Sequence, residues 1–194
     1  MKNFTLFRIS SAITFFFLLV ALFTPLASIA IDLSQNPEGV QSLDFVCVFC
    51  QYGDGATPAG AMIFMFTPLD FFSLWIPILG LLGISLIPLL KSFPNLAIAE
   101  KISDKLAVNS LWLVAILSIT IRGIISLLVP ILKNKFQTMF PENLILSELS
   151  WGSAALVFAT ISAITAAMFG FIEFQYDLET TSDTNISAEE NTDN

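Results

Sequence analysis

Two cysteines, spaced as Cys47-Val48-Phe49-Cys50, are the only thiols in the 194-residue chain. At that spacing one thiolate can attack a substrate disulfide and the second can resolve the mixed disulfide, which would be membrane thiol-disulfide chemistry. The same pair in an oxidising compartment closes as a structural disulfide that tightens its loop. With no histidine anywhere and no further soft ligand, the pair cannot complete a tetrahedral metal site, so no metal is expected. The other residues of note are single charges in apolar surroundings, Asp70 and Arg122. An arginine at the centre of a membrane helix costs about 2.5–3.5 kcal/mol and therefore calls for a partner, a water-filled cavity or an outward-reaching side chain.

What must position these groups is a set of membrane helices. The chain is 55% hydrophobic and 12% charged, with a mean hydropathy of +0.80, too apolar for an ordinary soluble domain. Four runs, residues 9–31, 71–90, 106–132 and 151–174, are each long enough to cross a hydrocarbon core of about 20 residues. The expected fold is an all-α, four-transmembrane-helix bundle over residues 1–176. An outer loop, 32–70, carries the CxxC, and a disordered acidic tail, 177–194, completes the chain. Lys2, Arg8, Lys91, Lys101 and Lys105 fall on one side and only Lys133 and Lys135 on the other, which predicts both termini in the cytoplasm. The alternative for the first run is a secretory signal cleaved after Ala30 in Ala27-Ser28-Ile29-Ala30; its length favours an uncleaved helix.

In this frame Arg122 lies ten residues from the end of the third run, about 15 Å deep. If the second run begins near Ala61, Asp70 drops to a similar depth. The two are then expected to form an intramembrane ion pair, either fixing helix register or lining an ion or quinone site. The competing expectation leaves Asp70 interfacial and Arg122 bonded to Ser118 or Thr120. Span four repeats Ala155, Ala159, Ala163 and Ala167, a smooth stripe for helix packing, either within the bundle or in association with a second copy or partner subunit. Gly80, Gly83 and Ser85 in span two offer it an internal mate.

Four spans with a CxxC in the first outer loop resemble membrane thiol oxidases of the DsbB type, and the resemblance implies a quinone-linked oxidoreductase. The chain departs from that pattern in two places. No second cysteine pair stands in 133–150, and Gln51-Tyr52-Gly53-Asp54 lacks an arginine beside the CxxC. The layout also resembles claudin-like junction proteins, but their outer-loop tryptophan and wider cysteine spacing are absent. A charge of -8 argues against nucleic acid as a partner, and the lack of histidine excludes Ser-His-Asp catalysis. The resulting expectation is a non-catalytic accessory, assembly or scaffolding subunit without a cofactor, whose partners are the lipid bilayer and other membrane subunits. The alternatives are the CxxC oxidoreductase and an oligomeric small transporter or channel using Asp70 and Arg122.

Overall fold

A computed structural model describes residues 2–32, 50–52, 61–93 and 96–190. Its four long helices are α1 (Lys2–Phe23), α2 (Phe72–Lys91), α3 (Asp104–Met139) and α4 (Trp151–Glu190). Each contains a stretch long and apolar enough to cross a membrane, so the chain is a multi-pass membrane protein. Helix boundaries follow local chemistry. Pro25 lacks an N–H and disfavours helix at Thr24, which closes α1. Ser103 caps α3 by accepting from the Leu106 amide at 3.2 Å. Asp104, in the favourable first turn of α3, meets Lys91 from the last turn of α2 at 2.8 Å.

The expectation of an all-helical chain is corrected by four strands, β1 (Ala27–Asp32), β2 (Cys50–Tyr52), β3 (Ala61–Phe66) and β4 (Ile145–Leu149). They form one antiparallel sheet in the order β2-β3-β1-β4, in register at Ala27–Phe66 and Ala27–Leu149. Both loops at this end of the bundle therefore join in one structure, with β1 at its centre. Residues 27–31 looked like the end of span one because a short apolar run does not distinguish helix from strand. Similarly, Ala61–Phe66 looked like an extension of span two. Thr67-Pro68 separates it from α2 in a turn, where Asp70 and Phe71 donate to the Thr67 carbonyl at 3.1 and 3.3 Å.

Two cores hold this arrangement. In the bundle, α1 packs on α4 and α2, and α3 packs on α4 and α2, with one shared apolar core between them. At the sheet, Ile29, Ile31, Phe64 and Ile145 close over Phe136 near the end of α3. That contact explains why α3 runs to Met139, seven residues past its expected end. Lys91 and Asp104 bring the start of α3 level with the end of α2, so at 1.5 Å per residue α3 overshoots the start of α2 by about 24 Å and forms a post beneath the sheet. The helix α4 likewise continues to Glu190, through the stretch from Asp177 that composition marked as a disordered tail. Once a helix is nucleated, each added residue costs little, so the apolar part of α4 can carry the polar part.

Candidate functional site

The most extensive helix contact is the α1–α4 seam, and the span-four stripe is spent on contacts within the chain. Ala155, Ala159, Ala163 and Ala167 are all buried, the last three completely. Small side chains let the backbones approach, which matters in lipid because packing there replaces the hydrophobic driving force. Thr14 of α1, fully buried, donates to Ser162 of α4 at 2.9 Å, and the Ser162 hydroxyl reaches back to the Ala159 carbonyl at 3.1 Å. This interhelical bond is absent from the sequence reading, although a threonine among the phenylalanines of α1 was its visible signal. The glycines expected to mate with the stripe do not: Gly80 and Gly83 have no non-local atom within 4 Å of a built Cβ. Enlarging Ala159 to leucine is accordingly expected to cost about 1–3 kcal/mol by overpacking the seam. Chemical denaturation in detergent checks this, with Gly80→Ala as the silent control.

Asp70 and Arg122 are not brought together. Asp70 stays in the turn before α2, its Oδ2 accepting from the Thr67 amide at 2.6 Å and the Thr67 hydroxyl at 2.9 Å. The physical reason is that Ala61–Phe66 is strand, so α2 begins after Asp70 and cannot carry it into the bundle. Arg122 differs from expectation in depth. Counting from the Lys91–Asp104 contact, it is level with Ser73, about one residue from the start of α2. The overshoot of α3, which the sequence could not reveal, places Arg122 near the sheet-side ends of its neighbours. Among the described residues it forms no ion pair, and its Nε is buried without a hydrogen-bond partner. The fallback bonds are absent too: Thr120 donates to the Ile116 carbonyl, and Ser118 Oγ has no partner. A double-mutant cycle of Asp70→Asn and Arg122→Leu should therefore be additive within about 0.5 kcal/mol. A coupling well above that would restore the pair.

Cys50 is the first residue of β2, opposite Phe64 in register, while Cys47 lies outside the described residues. The described residues contain no group of three or more His, Cys, Asp and Glu able to hold a metal. At the sheet's edge, Leu144, Leu146 and Trp151 are 62%, 60% and 80% exposed. Among the described residues, β4 pairs with β1 alone and stands at one edge of the sheet.

The arrangement is that of a four-span membrane protein with a sheet-bearing cap at one end. Comparison with protein-family profiles, curated proteins and solved structures found no match for this chain.

Proposed function

We propose that the protein is a non-catalytic accessory or scaffolding subunit of a membrane complex, with both termini cytoplasmic and the sheet on the outer face. The observation that supports this reading most is the cap itself. Strands from both loops make one sheet, its edge strand β4 has no second partner among the described residues, and large apolar side chains in and next to it are exposed. Such an edge can take up a strand from a neighbouring subunit, with apolar side chains supplying contact area. Because the alanine stripe is used inside the bundle, the partner surface in this reading is the cap and not span four.

Cys47 and Cys50 serve this role as a disulfide that tightens the lead into β2. Cys50→Ser is then expected to lower the amount of folded protein, measured by size-exclusion profile and membrane yield. A redox enzyme would instead give a normally folded but inactive variant.

Gentle extraction from the native membrane, followed by native mass spectrometry with and without reductant, tests the assignment. Co-purifying membrane subunits are the expected result. A lone chain carrying a bound quinone, or a mixed disulfide released by reductant, would overturn it in favour of the oxidoreductase. After reduction, reaction of the CxxC with a membrane-impermeant maleimide from outside checks the orientation.

A further inference from the structure

The link between α2 and α3, residues 92–103, lies at the end of the bundle opposite the sheet, and it is held in place from within. Ser92 and Ala99 are buried, and Ile102 packs against the bundle core. The Lys91 side chain reaches the far end of the link, donating to the Ile102 carbonyl at 2.9 Å while it pairs with Asp104. Turns secure the backbone between: the Leu96 amide donates to the Phe93 carbonyl at 3.0 Å, and the Ala99 amide to the Leu96 carbonyl at 2.8 Å. Phe93, Leu96 and Ile98 are nevertheless 54%, 43% and 57% exposed. With its inner positions occupied and its far end tied back to Lys91, the link presents these three apolar side chains outward.

Two observations say what covers them. The first is continuity. Phe72, Leu79, Leu86 and Phe93 follow one another at intervals of seven, which keeps them on one side of α2, and all four are exposed. The outward side of a membrane-crossing helix meets lipid. The Phe93 amide donates to the Leu90 carbonyl at 3.1 Å, so a final turn carries that side just past the helix end. The second observation is depth. The 20 residues of α2 rise about 30 Å, the thickness of a hydrocarbon core, so the chain after Lys91 emerges among headgroups and not in bulk water. Lys101 and Lys105, both exposed, stand in or next to the link, where an ammonium group can reach a lipid phosphate while its stem covers apolar surface.

We infer that residues 92–103 form a membrane-surface foot, in which Phe93, Leu96 and Ile98 insert into the phospholipid interface of the leaflet opposite the sheet. Interfacial segments bury their apolar side about 5–10 Å into the boundary between headgroups and acyl chains. The partner of this surface is phospholipid and not protein, which separates it from the cap. Its seating in the interface fixes the depth of α2 and α3, the helices that lead to and support the sheet.

Photocrosslinking of the full chain tests this. The photoreactive residue p-benzoylphenylalanine replaces Phe93, Ile98 or Glu100, one at a time, and each variant is irradiated in its native membrane and in dioleoylphosphatidylcholine vesicles. The expected result is a mass gain of one phospholipid at positions 93 and 98 in both settings, with a yield severalfold above that at the charged position 100. Adducts to a second protein in the native membrane would overturn the inference in favour of a subunit contact. So would yields at 93 and 98 no higher than at 100, the result for a link standing in water. Both test positions are exposed, and the replacement of Phe93 keeps its ring, so if the variant at 98 fails to fold, position 93 decides.

Discussion

Gly152→Val is expected to cost stability at the upper end of the range of about 1–3 kcal/mol seen for overpacking, because the atoms in its way are backbone. A Cβ at Gly152 would lie 2.7 Å from the Pro25 carbonyl oxygen, 2.9 Å from that of Thr24 and 2.9 Å from Thr24 Oγ1. This close approach is how α4 is tied to the link between α1 and β1. The Gly152 amide donates to the Pro25 carbonyl at 2.9 Å, and the Ser150 amide to the Leu26 carbonyl at 3.1 Å. A side chain at 152 must push the two segments apart, breaking both bonds and the first contacts of the most extensive helix seam. Thermal unfolding in detergent, followed by tryptophan fluorescence, provides the measurement, since Trp151 is adjacent in sequence. Gly123→Ala, with open space around its built Cβ, should unfold like the parent. Equal behaviour of the two variants would show that the α1–α4 junction is not fixed as described.

The same junction bears on the first span. Cleavage after Ala30 would remove α1 and four of the six residues of β1, the strand that both β3 and β4 need as a partner. The recovered chain is therefore expected to retain its N-terminus, as intact mass would report.

The four helices were legible because an apolar run of about twenty residues has few alternatives in a membrane protein. The cap was not. Residues 27–31 and 61–66 are largely apolar without alternation, and their pairing joins residues about thirty to forty positions apart, a distance that no local pattern encodes. Ile145–Leu149 is short, and its partner β1 looked like part of a helix. Missing the sheet had consequences for the site. It moved Asp70 from a helix into a turn, and it hid the extension of α3 to Phe136 that brings Arg122 close to the sheet-side helix ends. The individual residues of interest were recognisable by type, since a lone arginine among isoleucines and leucines is conspicuous. Their relative depths depended on tertiary contacts.

Phe136→Ala should uncouple the cap from the bundle. Phe136 is 1% exposed and its ring lies 5.0 Å from that of Phe64, with Ile29, Ile31 and Ile145 completing the cluster. Removing a buried phenylalanine costs about 3–5 kcal/mol, and here a small cluster would lose its one contribution from α3 among the described buried residues. Other ties remain, since partly buried Leu132 and Phe140 pack against the same cluster and the Phe66 ring of β3 lies 5.6 Å from that of Phe71 beside α2. Asn143 Nδ2 donates to the Asp32 carbonyl, and the Asp32 amide donates to the Leu144 carbonyl at 2.9 Å, but these bonds join loop to strand and do not bind the sheet to the post. The bundle core is a separate cluster and should survive. Hydrogen exchange is then expected to accelerate in β1, β3 and β4 while α1 and α4 keep their protection. Uniform acceleration across helices and strands would mean that cap and bundle unfold as one cooperative unit. Unchanged exchange would mean that the sheet is anchored by contacts other than Phe136. If partner subunits dock on the cap, the same variant should also lose them while remaining a folded membrane protein, a result that would separate loss of the interaction surface from loss of the fold.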